Sequence, residues 1–211
     1  MELFRPYAEA GRKIVCFSIS AGMSTSGNVM RLAAEELGAS DRIKVIDSAN
    51  LSTGIGLLVV EAAIMAKNNR TASQIVSEIE KLKPNVRASF VVDTLTYLYR
   101  GGRCNAVAAM AGGVLKLHPR IVVEDGAMNA SKKYRGKIAS VVMNYVKDME
   151  KDLKKARPER VFITHSGCEQ ETVEKVRAYL KELDIFDEIL ETRAGGVVSS
   201  HCGPGTLGVL Y

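Results

Sequence analysis

The sequence contains no tryptophan, and aromatic residues make up only 6% of its 211 positions. Any core or cavity is therefore lined mainly by Val, Ile, Leu, Ala and Met, which suits an aliphatic ligand. Long apolar runs are missing as well. The most continuous one, residues 106–115, is far shorter than the roughly 20 residues that span a bilayer, so no transmembrane helix is expected. The four cysteines, Cys16, Cys104, Cys168 and Cys202, form no Cys-x-x-Cys pair and no zinc-ligand spacing, and no signal peptide is read ahead of them. Reduced thiols in a cytoplasmic protein are the expectation. The 3 histidines have no carboxylates at ligand spacing, which argues against a metal site. There is no Gly-x-x-x-x-Gly-Lys-Ser/Thr phosphate loop, no Gly-x-Gly-x-x-Gly fingerprint and no kinase signature, so neither an ATP site nor a cofactor is expected.

What remains is ordinary globular material, 46% hydrophobic and 25% charged, which excludes disorder and a coiled coil. The length permits one large domain or two small ones. Lys and Arg number 29 against 24 Asp and Glu, a formal charge of +5. The basic residues are interspersed with acids, as in Lys147-Asp148-Met149-Glu150-Lys151-Asp152, the pattern of a solvated helix face rather than of a nucleic-acid binder. The one acid-free cluster is Lys132, Lys133, Arg135 and Lys137, which either docks an anionic partner or decorates a loop.

Along the chain, Ile14-Val15-Cys16-Phe17 reads as a buried strand ending in a Ser/Gly/Thr-rich turn, residues 18–27. A helix follows whose spacing points Val29, Leu32, Ala33 and Leu37 inward, with Gly38 at its end. Residues 43–46 form the next strand. Ser52 or Thr53 is expected to cap a helix through Ala66, and Thr71 with Gln74 makes a capping box for another that ends before Pro84. Strand, helix, strand, helix is the mark of a parallel α/β layer. After the strand 89–92 the pattern changes. A short helix from Thr94 to Tyr99 stops at Gly101-Gly102, residues 105–115 suit a buried helix, and Asp125-Gly126 between residues 120–124 and 128–132 signals a hairpin. A long helix over 137–156, a strand over 161–164, a helix over 169–183, a strand over 188–192 and a glycine-rich terminal segment complete the chain. The expected architecture is a partial parallel α/β domain over 1–86 followed by a mixed, antiparallel α+β domain over 87–211.

Two loops place small hydroxyl residues and glycines at strand ends, where ligands of α/β folds collect. The first, Ser18 to Gly27, leads into a helix N-terminus and suits a carboxylate or phosphate, although an ordinary capping turn has the same composition. The second, Ser199-Ser200-His201-Cys202-Gly203-Pro204-Gly205-Thr206, reads as a tight loop in which His201 either donates to an anion or is structural. His118 and His165 read as structural. A third cluster, Asp93 to Arg103, presents Arg103 after two glycines, for an anionic group or a partner.

These segments, in this order over essentially the whole chain, resemble the DegV family, bacterial fatty-acid-binding proteins that act as the acyl-carrying subunit of fatty acid kinase. The resemblance rests on Ile19-Ser20-Ala21-Gly22-Met23-Ser24, on Val45-Ile46-Asp47-Ser48 with Ser52-Thr53-Gly54-Ile55-Gly56, on Asp93-Thr94-Leu95-Thr96-Tyr97-Leu98 with Gly101-Gly102-Arg103, on Leu117-His118-Pro119 with Asp125-Gly126, and on His201-Cys202-Gly203-Pro204-Gly205-Thr206. It implies a two-domain fold holding a long-chain fatty acid, with the carboxylate at the domain junction and the tail in an apolar tunnel. Ser24 and His201 would hydrogen-bond the carboxylate, with Ser20, Thr25 and Ser26 as further contacts. Arg103 would lie near the ligand mouth or the kinase-facing surface, with Lys133, Arg135 and Lys137 as a second docking candidate. The carrier would not itself be an enzyme: a separate ATP-dependent subunit would phosphorylate the acyl carboxylate, serving phospholipid metabolism. Where members usually read Ser-Gly-Thr, this chain reads Ser24-Thr25-Ser26. Members also begin upstream of Met1 with a further strand, helix and Thr/Ser loop, so the first sheet is expected to be partial and its edge open to self-association. Transient contact with a membrane surface is compatible with such a carrier. A Ser24/His201 hydrolase or acyltransferase and a regulatory module without lipid are the alternatives.

Overall fold

The computed structural model describes residues 1–102 and 117–211. Two compact units emerge, Met1–Val86 with Asp125–Ala127, and Arg87–Glu124 with Met128–Tyr211. Arg103, Cys104 and the helix expected over 105–115 lie outside the described residues.

In the first unit the order is α1 (Arg5–Glu9), β1 (Ile14–Ser18), α2 (Ser26–Glu36), β2 (Ile43–Asp47), α3 (Ser52–Lys67) and α4 (Ala72–Leu82). β1 and β2 pair in parallel from Ile14 opposite Ile43 to Ser18 opposite Asp47. Side chains alternate across this ribbon. Ile14 and Cys16 pack beside Ala34 and Phe4, while Val15 and Phe17 pack beside Leu58, Ile75 and Ile79, so both faces are covered. Among the described residues this sheet has two strands.

Three local expectations for this unit meet the structure differently. The capping box of α4 is present, with the Gln74 N–H donating to Thr71 Oγ1 at 3.3 Å and the Thr71 N–H to Gln74 Oε1 at 3.0 Å. At α3 the capping position is Leu51, not Ser52 or Thr53, and the Leu51 N–H donates to the side-chain oxygen of Asn50 at 2.9 Å. In α2 the inward phase is Gly27, Met30, Ala33, Ala34 and Leu37, whereas Val29 and Leu32 are each 62% exposed. The reason is steric. A Cβ on Gly27 would sit 2.7 Å from Ser18 Oγ, so the helix lies close to the strand on its smallest residues, and the bulkier pair is turned outward.

The second unit contains β3 (Ala88–Val91), α5 (Thr96–Arg100), β4 (Leu117–Glu124), β5 (Ala127–Arg135), α6 (Ile138–Asp148), α7 (Glu150–Leu153), β6 (Arg160–Ser166), α8 (Gln170–Glu182), β7 (Glu188–Arg193), α9 (Gly196–Cys202) and β8 (Thr206–Leu210). The strand order is β5-β4-β3-β8-β6-β7. β6 and β7 are parallel, and β3–β4, β3–β8 and β6–β8 are antiparallel, so the sheet is mixed. The β4–β5 turn has φ of 50° at Asp125 and 74° at Gly126, the double positive φ of a type I′ hairpin.

The helix expected over 137–156 is divided at Met149, where the Met149 N–H bonds back to Val146 O at 3.1 Å, an i−3 tightening that restarts the chain as α7. The terminal segment is not one loop. Residues 196–202 are helical and Thr206–Leu210 is a central strand, buried throughout. Gly208 is obligatory there, since a Cβ would lie 2.8 Å from Ser89 O. One face of the sheet carries the core of Val91, Ile163, Leu207 and Val209 against Val142 and Val176. Tyr145 is fully buried within it, donating to Ser89 O at 2.7 Å and accepting the Val209 N–H at 3.0 Å, and burial pushes its phenol up to about 12.

Candidate ligand-binding site

The serine turn begins where β1 ends. Ser20, only 2% exposed, uses every polar group it has. Its N–H donates to Asn50 O at 2.9 Å, and its carbonyl accepts the N–H groups of Met23 at 2.9 Å and Ser24 at 3.1 Å. Its hydroxyl donates to Gly126 O at 2.6 Å and accepts the Gly22 N–H at 3.2 Å. Asp47, at the end of β2, accepts the Ala21 N–H at 3.3 Å and the Ala49 N–H at 2.9 Å. The turn is therefore stitched to both strand ends.

On this frame Ser24 is half-buried, and its Oγ accepts the Ser26 N–H at 3.2 Å while its own hydroxyl hydrogen has no acceptor among the described residues. Thr25 is exposed at the N-cap of α2 without a side-chain capping bond. Of the donors read from the sequence, the Ser24 hydroxyl and the Thr25 N–H and hydroxyl are uncommitted among the described residues. The Ser26 N–H is engaged by Ser24, and the Ser20 hydroxyl is engaged by Gly126, which gives Ser20 a structural rather than an anion-contacting place.

His201 occupies the last turn of α9, not a loop, and no side-chain hydrogen bond holds its imidazole among the described residues. Its Nδ1 is buried without a partner. The imidazole lies against the backbone of Gly101, where a Cβ would collide with Nδ1. Past the helix, Gly203 has φ of 77°, and a Cβ there would overlap the Tyr97 ring. His201 is thus seated on Gly101, and the chain just after it is held close to the Tyr97 ring at Gly203. Sequence reasoning missed this seat, although Gly101-Gly102 and Gly203 were visible as punctuation. A hydrolytic base needs a hydrogen bond orienting Nδ1, and none is present among the described residues.

The other histidines are internal. His118 Nε2–H donates to Gly136 O at 2.9 Å, with Nδ1 3.3 Å from Asp93 Oδ1. His165 Nε2 is 3.3 Å from Glu191, whose other oxygen accepts from Arg177 at 2.5 Å. Arg177 holds the Glu191 carboxyl below its ordinary range. Burial pushes the Cys168 and Cys202 thiols up to about 11, so neither is a thiolate near neutrality. Among the described residues no cluster of His, Cys, Asp and Glu could hold a metal ion, and no helix is long and apolar enough to cross a membrane.

Of the basic group, Lys132 pairs with Asp148 at 2.5 Å and lies over the Tyr134 ring. Lys133, Arg135 and Lys137 are exposed and make no ion pair among the described residues. Lys133 and Arg135 flank buried Tyr134 on β5, so they share the opposite face of the strand.

The family model described as "Uncharacterised protein, DegV family" matches residues 1–211, and the chain belongs to the DegV family. A DegV domain-containing protein of Clostridium perfringens is 33% identical over 215 residues, covering 100% of this chain and 73% of the relative. A DegV family protein of Thermus thermophilus, whose structure is described for its fatty acid binding, superposes with a TM-score of 0.88 at 26% identity, covering 99% of this chain and 74% of that one. A stearic acid-binding protein of Eubacterium ventriosum superposes with a TM-score of 0.81 at 27% identity, covering 99% and 73%. The parallel sheet and the mixed sheet described above are thus the fold of this family.

Proposed function

We propose that this chain binds a long-chain fatty acid and acts as a carrier rather than an enzyme. The observation that carries the reading is the pair of uncommitted donors, the Ser24 hydroxyl and His201, in a chain whose fold neighbours bind fatty acids. The acyl carboxylate accepts hydrogen bonds from Ser24, with Thr25 beside it, and from His201. Such charge-assisted bonds hold a carboxylate without placing a fixed opposite charge on it, so its oxygen stays nucleophilic. Each buried tail methylene contributes about 0.8 kcal/mol, which makes the aliphatic tail the source of affinity and the donors the source of orientation.

In this reading the carrier presents its carboxylate to a separate ATP-dependent kinase subunit in the cytoplasm. A carboxylate oxygen attacks the γ-phosphorus, the bond to ADP breaks, and an acyl-phosphate forms for phospholipid synthesis. The unpaired Lys133, Arg135 and Lys137 support a docking role toward an anionic partner surface, and Arg103 is assigned to the ligand mouth or the same partner. Transient membrane contact during loading and self-association through the edge of the β1–β2 ribbon belong to the same reading.

The test is mass spectrometry of lipid extracted from natively purified full chain. One fatty acid per chain is expected; recovery of none, together with no uptake of added palmitate, overturns the reading. Hydroxylamine trapping of acyl-phosphate with an ATP-dependent fatty acid kinase tests presentation, and replacing Lys133, Arg135 and Lys137 with Glu should lower its rate without lowering palmitate affinity.

A further inference from the structure

The hydrogen bond between Ser20 and Gly126 spans more than a hundred positions of sequence and, at 2.6 Å, is among the shortest formed by a buried hydroxyl among the described residues. Asp125–Ala127 group with the first unit, and their approach to the serine turn is tight from both sides. A Cβ on Gly22 would lie 2.9 Å from Gly126 O, and a Cβ on Gly126 would lie 2.7 Å from Ser20 Oγ. The left-handed φ of 74° at Gly126 aims its carbonyl, and that carbonyl takes the one hydrogen the Ser20 hydroxyl has. The Ser20 hydroxyl oxygen in turn accepts the Gly22 N–H, and the Ser20 carbonyl accepts the Ser24 N–H. Ser24 is therefore tied through a continuous chain of hydrogen bonds to a hairpin turn that is remote from it in sequence.

We infer that Ser20 and the Asp125-Gly126 turn are positioning elements for the anion-binding donors at Ser24, setting the affinity for a carboxylate headgroup without touching it. This inference rests on the fatty-acid reading above. The physical basis is that orientation of a donor to a charged acceptor is worth more than its mere presence. Loss of the Ser20 hydroxyl leaves the Gly126 carbonyl and the Gly22 N–H without partners and frees the turn to relax toward water. Linkage requires the converse: a bound carboxylate protects the turn residues.

The experiment compares palmitate with methyl palmitate, which keeps the tail and lacks the anionic headgroup, on the full chain and on Ser20→Ala, Gly126→Ala and the double variant. Ser20→Ala and Gly126→Ala should each weaken palmitate about tenfold while changing methyl palmitate less than about threefold, the loss of one hydrogen bond to a charged group. In the double variant the missing oxygen makes room for the added methyl, so its loss should not exceed that of Gly126→Ala alone. Equal losses for both ligands would mean general loosening and overturn the inference, as would strictly additive losses. Should the wild-type chain bind neither ligand, the fatty-acid reading fails by itself. The seat is then judged by amide exchange, where Ser20→Ala should speed exchange at Gly22 and Ser24 about tenfold without affecting β2. Unchanged exchange at those amides overturns the seat.

Discussion

The serine turn and the His201 helix are held in place by different physics. Ser24 stands on hydrogen bonds: the Ser20 carbonyl, the Ser20 hydroxyl, Asp47 and Asn50 satisfy the turn. His201 stands on shape: it lies against Gly101, and the chain beyond it folds over the Tyr97 ring at Gly203. The units that carry them differ in the same sense. β6 and β8 are buried nearly end to end, whereas β1 is only half-buried along most of its length. A polar seat keeps its geometry through a network that one hydroxyl can break. A packed seat fails only when volume is added or removed. Donors held in these two ways should therefore respond differently to small substitutions.

The largest expected effect is on stability. Ile163→Ala in the fully buried core of the second unit should cost about 3 kcal/mol, against about 1 kcal/mol for Val15→Ala on half-buried β1, both read by urea unfolding of the full chain. Equal losses would erase the contrast between the units.

Adding volume to the packed seat comes next. Gly101→Ala places a methyl where the His201 ring lies and should weaken palmitate about thirtyfold, while Gly196→Ala, whose Cβ would meet no atom of the described residues within 4 Å, should not disturb His201. Titration calorimetry of both variants separates the two. A smaller effect is expected from removing one donor, with Ser24→Ala and His201→Gln each costing about tenfold in palmitate affinity. A loss at only one of them would assign the carboxylate to that seat alone.

The smallest effect is pH-dependent and belongs to the second unit. Glu191 has an ordinary value of 4.5 that Arg177 lowers in the folded state. The unfolded chain therefore binds the proton more readily, so this group adds stability above about pH 4.5 and loses it as pH falls through the depressed value. Arg177→Gln should lower Tm at pH 7 slightly and flatten its decline below pH 5. An unchanged acid limb would exclude the pair as a contributor.

Much of this was legible in the sequence because it depends on local rules. The capping box at Thr71 and Gln74 is a contact between near neighbours, and Asp125-Gly126 is a turn whose backbone demand only certain residues meet. The phase of α2 departs from its hydrophobic pattern because hydrophobicity ranks Val29 and Leu32 above Gly27 and Ala34, while close approach to a strand selects for smallness. The loop expected over Ser199 to Thr206 opens instead on the last turn of α9, and the glycine-rich segment that follows is a strand. Its glycines look like turn residues, yet Gly208 sits mid-strand because Ser89 O leaves no room for a side chain. The seat of His201 had no periodic signal at all, since Tyr97, Gly101 and Gly203 meet only when α5 and α9 pack.

By itself the sequence determined the alternation of strands and helices, the hairpin, the aliphatic character of the interior and the two loops that merit a ligand, because each follows from propensity, pattern or composition within a short window. Only the tertiary structure decided which donors in those loops are free. Ser20 and Ser24 are the same residue type four positions apart, and one hydroxyl is engaged by Gly126 while the other is left to donate. That difference arises because a hydrogen bond is satisfied by whatever lies within about 3 Å, and the fold, not the neighbouring sequence, brings the carbonyl of Gly126 there.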